Sequence, residues 1–234
     1  ILMLVLDIAS NLKRLWGKIE SIALACGRNP EEIRLLAVTK TLSPDFVERA
    51  RRAGQMLFGE NRVQEAEQKI SLANAKGLEW HLIGPLQSNK AQRAVELFDV
   101  IQTLDRPKIA HKVNRYAAKT ANRLPVFIEV NIGEEPQKHG VLPQELPSMV
   151  ELIDSMPSLD LQGLMTIPPY HEESQASRPY YKKMFQLLAE VNRSRQKPLT
   201  ELSMGMSHDY RIAIQEGATL LRVGTAIFGP RSQR

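Results

Sequence analysis

Lys40 closes the apolar run Leu35-Leu36-Ala37-Val38-Thr39. A lysine at the carboxyl end of a buried strand is partly desolvated, which lowers the cost of losing its proton. The neutral amine is the species that attacks an aldehyde to form a Schiff base. The competing reading is a lysine that snorkels from a strand end to solvent, and position alone leaves both open. The segment Ser203-Met204-Gly205-Met206-Ser207-His208-Asp209 reads as a tight turn that opens a helix, with Ser207 near its N-terminus and Asp209 in its first turn. Outward-pointing backbone N–H groups there favour an anion such as phosphate, although a plain serine cap has the same pattern. In Leu220-Leu221-Arg222-Val223-Gly224-Thr225-Ala226, alternation sends Arg222 and Gly224 to one face. Gly224 lets the backbone approach a ligand closely, and Thr225 adds a hydroxyl and an amide near a helix start. An inward Arg222 needs an acceptor, either a ligand or a carboxylate such as Glu129 or Asp209. Two phosphate-suited turns and a lysine are more specific together than any one alone.

Other constellations lead nowhere. The histidines at 81, 111, 139, 171 and 208 are scattered, and His171-Glu172 meets Gln175 where a zinc-protease pattern needs its second histidine. Nothing matches a phosphate-binding Walker loop, a G-x-G-x-x-G turn, a nucleophile elbow or a metal-ligand cluster, so no metal is expected. Ser10 and Lys13 have a β-lactamase-like spacing without its companion motifs. Trp16 and Trp80 read as core or groove packing. Cys26 is the only cysteine, which excludes an intrachain disulfide and a cysteine zinc site and fits a reducing compartment. The opening ILMLVLDIA is too short to span a bilayer and lacks the charged flank and cleavage site of a signal peptide, so no membrane is expected and a cytoplasmic location is. Asn192-Arg193-Ser194 is a sequon without a secretory context. The net charge of +5 suits an anionic small molecule. The basic residues are dispersed, which argues for a solvated surface over a nucleic-acid interface.

These groups must be positioned by the elements around them. Leu12, Leu15, Ile19, Ile22 and Cys26 recur at helical spacing, predicting a leading helix over Ala9–Cys26. Eight strands follow, at Leu35–Lys40, Met56–Gly59, Glu79–Ile83, Val100–Thr103, Val126–Asn131, Leu159–Met165, Glu201–Met204 and Leu220–Gly224. Helical patterns lie between them, at Asp45–Ala53, Val63–Ala75, Lys90–Leu97, Lys108–Thr120, Glu145–Met156, Tyr180–Arg193 and Tyr210–Glu216. Short continuous apolar runs are what strands covered on both faces require. Strict alternation of strand and helix over 234 residues predicts a single (β/α)8 barrel across residues 1–234, with the leading helix as an extra outside the eightfold pattern. Functional groups of such barrels gather where strands end, which is where Lys40, Asn61, Ser207 and Gly224 fall.

Six blocks carry a further signal: Ala37-Val38-Thr39-Lys40, Phe58 to Glu65 (FGENRVQE), Trp80 to Lys90 (WHLIGPLQSNK), Gly163 to Ile167 (GLMTI), Leu202 to Ser207 (LSMGMS) and Arg222 to Gly229 (RVGTAIFG). In this order they resemble the pyridoxal phosphate homeostasis protein family, from about Leu35 to Gly229. The resemblance implies a barrel like that of alanine racemase, without the second, β-rich domain. It implies that Lys40 carries pyridoxal 5′-phosphate (PLP) covalently as a Schiff base. It further implies that Ser207, Gly224 and Thr225 cradle the phosphate, that Arg222 faces the pyridine nitrogen, and that Asn61 and Met165 line the ring. His81 is a weaker candidate for the same pocket.

An arginine at the pyridine nitrogen keeps it unprotonated and weakens the ring as an electron sink. Racemases add a separate acid/base group from a second domain, for which this sequence offers only Tyr170, His171 or Tyr210, each read as a surface loop residue. Binding without turnover is therefore expected, and the resemblance implies regulation of PLP and amino-acid pools, with PLP-dependent apoenzymes as recipients and a monomeric state. A racemase-like enzyme is the alternative.

Overall fold

The computed structural model describes residues 7–72 and 77–230. Most of the opening apolar run and the end of the helix expected at Val63–Ala75 lie outside the described residues. Helix α1 (Ile8–Ala25) starts where the Asp7 carboxylate accepts from the Ser10 amide at 3.0 Å, satisfying one orphan donor of the first turn. It buries Ile8, Leu12, Leu15, Ile19 and Ala23, an apolar stripe at three- and four-residue spacing. Of the two tryptophans expected in core or groove packing, Trp16 lies off that stripe and is exposed, outside the core, whereas Trp80 is buried with its ring 5.3 Å from that of Phe58.

Eight parallel strands then alternate with helices. They are β1 (Arg34–Val38), β2 (Leu57–Glu60), β3 (Glu79–Leu82), β4 (Val100–Leu104), β5 (Leu124–Glu129), β6 (Leu159–Met165), β7 (Glu201–Ser203) and β8 (Leu220–Val223). The strands pair in chain order and β8 returns to β1, closing a barrel as the alternation required. Helices α2 (Pro44–Arg52), α3 (Val63–Leu72), α4 (Ala91–Leu97), α5 (Pro107–Ala117), α6 (Leu146–Asp154), α7 (Arg178–Asn192) and α8 (Tyr210–Gln215) follow β1 to β7. A four-residue helix, α9 (Thr225–Phe228), follows β8.

The first helix is not an appendage. It packs against α2, α8 and α9, and so fills the place in the outer ring that a full-length helix after β8 would take. The period of two along each strand divides the core. Leu36, Val38, Leu57, Ile83, Val100, Phe127, Met165 and Leu220 fill the barrel interior, while the alternate residues join the larger cluster beneath the helices. Among the described residues no helix is long and apolar enough to cross a membrane.

Candidate functional site

The strand ends open into a cavity of about 480 Å³. Lys40, Asn61, Ser207, Arg222, Gly224 and Thr225 line it together, and Val38 and Ile83 form part of its wall. Six residues spread over 185 positions of the chain thus converge on one space, as barrel topology predicts (40 to 225). Met165 is fully buried in the interior cluster that contains Val38 and Ile83, without reaching the cavity surface. His81 does not line the cavity either; it lies in the polar part of the barrel interior.

Lys40 follows directly on a strand end that is held tightly. The Thr39 amide donates to the Gly59 carbonyl at 3.1 Å, and the Thr39 hydroxyl donates to the Glu60 carboxylate at 2.6 Å. The Lys69 ammonium, buried on the inner face of α3, donates to that carboxylate and to the Thr39 carbonyl, each at 2.6 Å. Burial pushes the Glu60 carboxyl above its ordinary range, and the Lys69 charge opposes this. On the other side of Lys40, Thr41 adopts a left-handed backbone (φ 66°) while its amide donates to Glu65 at 3.0 Å. The lysine is anchored from both neighbours. Lys69 escaped the sequence reading, but a lysine in register with Val63 and Ala66 on the buried face of a helix was the available signal.

Asn61 owes its place to Gly84, where a Cβ would stand 2.3 Å from the Asn61 carbonyl oxygen. Only a glycine lets β3 end this close to the turn after β2.

The Ser203–Asp209 segment differs from expectation in one respect. Helix α8 begins at Tyr210, so Ser207 lies in the preceding turn and does not cap it. Its hydroxyl instead accepts from the Ala226 amide in the first turn of α9 at 3.2 Å. The two phosphate-suited turns are therefore in contact, and an amide there already serves an oxygen acceptor. The buried Asp209 carboxylate accepts from the Met206 amide at 2.8 Å and from the Ser177 hydroxyl at 3.2 Å, bracing the loop.

Arg222 is 4 % exposed and pairs with neither Glu129 nor Asp209. It donates to the Ser203 hydroxyl at 2.8 Å and to the Thr166 carbonyl at 2.7 Å, both neutral acceptors. Burial lowers its pKa, which the Tyr181, Glu129 and Asp209 side chains nearby counteract. Burial also pushes the Glu129 carboxyl up to about 7, helped by the neighbouring Asp105 and opposed by Arg222. Of the three acid/base alternatives, Tyr170 and His171 stand at the cavity rim and Tyr210 is buried outside it, so Tyr210 is no surface loop residue. Lys138, absent from the sequence reading, also lines the cavity, and its ammonium donates to the Pro168 carbonyl at 2.9 Å.

A closed barrel of eight parallel strands with alternating helices is the architecture of the alanine racemase N-terminal domain. The profile of that family matches residues 11–232. The chain belongs to the pyridoxal phosphate homeostasis protein family within it. It is 42 % identical to the pyridoxal phosphate homeostasis protein of Escherichia coli K12 over 228 residues, covering 96 % of this chain and 97 % of the relative. It is 38 % identical to that of Aquifex aeolicus over 226 residues, covering 97 % and 99 %. The structure of PipY from Synechococcus elongatus with PLP bound superposes with a TM-score of 0.84 at 35 % identity, over 95 % of this chain and all (100 %) of that one. Alanine racemase of Clostridium difficile shares the fold at 16 % identity and a TM-score of 0.67, over 97 % of this chain and 57 % of the racemase.

Proposed function

We propose that this chain binds PLP in the rim cavity and regulates the supply of the cofactor without turning over a substrate. The observation that carries the reading is the meeting of Lys40, Arg222 and the touching Ser207 and Gly224–Ala226 turns in one cavity. The residues present fit the cofactor. A cavity of about 480 Å³ falls within the range of small-molecule sites. The Ala226 amide already binds the Ser207 oxygen, so the turn suits a phosphate oxygen. Lys40 supplies the amine for a Schiff base with the aldehyde, the C=N bond forming with loss of one water. Ser207, Gly224 and Thr225 hold the phosphate, Arg222 presents a donor to the ring nitrogen, and Asn61 stands beside the ring with Met165 behind the wall.

When bound, PLP supplies an electron sink for reactions at amino-acid carbons. A cationic donor at the ring nitrogen restrains that sink. The rim offers Tyr170 and His171, of which Tyr170 is 78 % exposed, a poor setting for a poised base. The site suits holding and releasing the cofactor, with PLP-dependent apoenzymes as recipients, and the chain acts as a cytoplasmic monomer.

The test is the visible absorption of the purified protein with and without borohydride, alongside Lys40→Ala. A reducible chromophore in the wild type and its loss in the variant are expected. A variant that keeps the reducible chromophore sinks the assignment of Lys40. Amino-acid racemisation faster than about 1 s⁻¹ would overturn the regulatory reading in favour of a racemase-like enzyme.

A further inference from the structure

The barrel interior is not wholly apolar. Beneath the cavity, four side chains from four strands form one file of hydrogen bonds. The Arg222 guanidinium donates to the Ser203 hydroxyl at 2.8 Å, and that hydroxyl donates to the Gln102 side-chain carbonyl at 2.6 Å. The Gln102 amide lies 2.6 Å from His81 Nδ1, and His81 Nε2 lies 2.7 Å from the Glu79 carboxylate. Glu79 in turn receives the Arg34 guanidinium at 2.7 Å at the opposite, half-exposed end of the barrel. Ser203, Gln102 and His81 are all fully buried.

The donor capacities leave the file one polarity. Arg222 only donates and the Glu79 carboxylate only accepts, so with both ends fixed Ser203 accepts from Arg222 and gives its own proton to Gln102. The Gln102 carbonyl is then occupied, and its NH2 faces His81, whose Nδ1 must accept. The proton of the imidazole therefore sits on Nε2 and points at Glu79. Burial lowers the His81 pKa and keeps the ring neutral, while the His81 hydrogen bond is the leading reason the Glu79 carboxyl falls to about 2. Each dipole points the same way, from the cation at the cavity to the carboxylate at the far end.

This arrangement does something a direct carboxylate could not. A buried arginine facing a carboxylate is a neutral pair in which the guanidinium donors are spent on the carboxylate oxygens. Here the neutral hydroxyl and carbonyl acceptors fix the guanidinium plane without cancelling its charge. Glu129 and Asp209 act on it only through space, and the carboxylate that ends the file stands three side chains away.

We infer that Ser203, Gln102 and His81 are positioning residues that hold Arg222 at the cavity as an oriented cation hydrogen-bonded to no carboxylate, through a hydrogen-bonded file anchored on Glu79 and Arg34. The inference rests on the PLP-binding reading for its consequence, though not for the file itself. Loss of a link frees the guanidinium to tilt away from the ring nitrogen. Networks of this kind are cooperative, so a break at the middle is felt at the end.

The experiment uses PLP-loaded full-length protein carrying Gln102→Leu, with Ser203→Ala as the second variant should the first fail to fold. The position and pH dependence of the visible band are read together with PLP affinity, and ¹⁵N NMR of the His81 ring is recorded on protein without PLP. Expected are a shifted band, PLP binding weaker by about tenfold or more, and an imidazole that is Nε2-protonated in the wild type but mixed in Gln102→Leu. A folded variant with unchanged band and affinity overturns the positioning role. An Nδ1-protonated or charged His81 in the wild type overturns the file. Failure of the wild type to take up PLP would instead sink the proposed function, while the NMR result still judges the file.

Discussion

The ammonium of Lys69 and the carboxylate of Glu60 lie 2.6 Å apart, almost entirely shielded from water, and the same ammonium donates to the carbonyl of Thr39. The pair ties α3 to the ends of β1 and β2 one residue away from Lys40. A buried ion pair contributes little net stability against a well-packed apolar substitute, but removing one partner strands the other. Its value here is geometric, because it fixes the peptide from which the lysine departs.

Lys69→Met should accordingly destabilise the fold by about 3–5 kcal/mol, the cost of an uncompensated buried carboxylate. Adding Glu60→Gln should recover much of that loss. Urea unfolding of the wild type, the single and the double variant measures both, and PLP titration should show weaker binding in the single variant. If the double variant is no more stable than the single one, the unpaired charge is not the cause.

Glu129 makes the stability of the barrel depend on pH. Its carboxyl titrates near 7 in the fold against 4.5 when unconstrained. Below about pH 4.5 both states hold the proton and no penalty exists. Between these values the folded state binds more protons than the unfolded chain, so stability falls as pH rises and the full penalty is reached above 7. At about 1.4 kcal/mol per unit, the difference approaches about 3 kcal/mol. Glu129→Gln should match the wild type at pH 4 and exceed it at pH 8. Thermal unfolding at the two pH values decides the matter, and an equal response of both proteins would assign the pH dependence elsewhere.

Much of this architecture can be read directly from residue order. The strands sit within a residue or two of their apolar runs, since a run covered on both faces has few other ways to bury itself. Lys40, Ser207 and Gly224 were recognisable because each stands at a strand end or turn. What escaped was non-local. Gln102 sits inside a fully buried strand, and its partners Ser203 and His81 are 101 and 21 positions away. Ser203 and Thr166, the protein acceptors of Arg222, were not legible for the same reason, because sequence specifies which face a side chain takes but not what it meets across a barrel. Helix α9 has too few residues to show a period.

Gly205 offers a sharper test of the phosphate-suited turn. Its backbone lies at φ +92°, and a Cβ there would stand 2.5 Å from the Ala213 Cβ. Gly205→Ala therefore combines a disfavoured conformation with a clash against α8 and should cost about 1–3 kcal/mol or more. The loop that carries Ser207 must move to relieve it, so PLP affinity should fall along with the melting temperature. A variant that melts earlier but binds PLP as before would uncouple the turn from the cofactor.

Asp209 separates bracing of the loop from stability of the barrel. Its carboxylate holds the Met206 amide and the Ser177 hydroxyl, and through Met206 it fixes the residue before Ser207. Asp209→Ala leaves a backbone donor without its acceptor at the cavity edge, a loss of about 1–3 kcal/mol if the amide stays dry. Water from the cavity can reach a loop more readily than a strand, so much of that cost should appear as loosening and not as unfolding. The expected result is a modest drop in melting temperature with PLP release about tenfold faster or more, read by transfer to an apoenzyme or to a trapping amine. Asp209→Asn keeps one acceptor oxygen for the Met206 amide and should fall between the two. If Asp209→Ala releases PLP at the wild-type rate, the loop holds Ser207 in place without its carboxylate brace, and the order Ala faster than Asn faster than wild type will not appear.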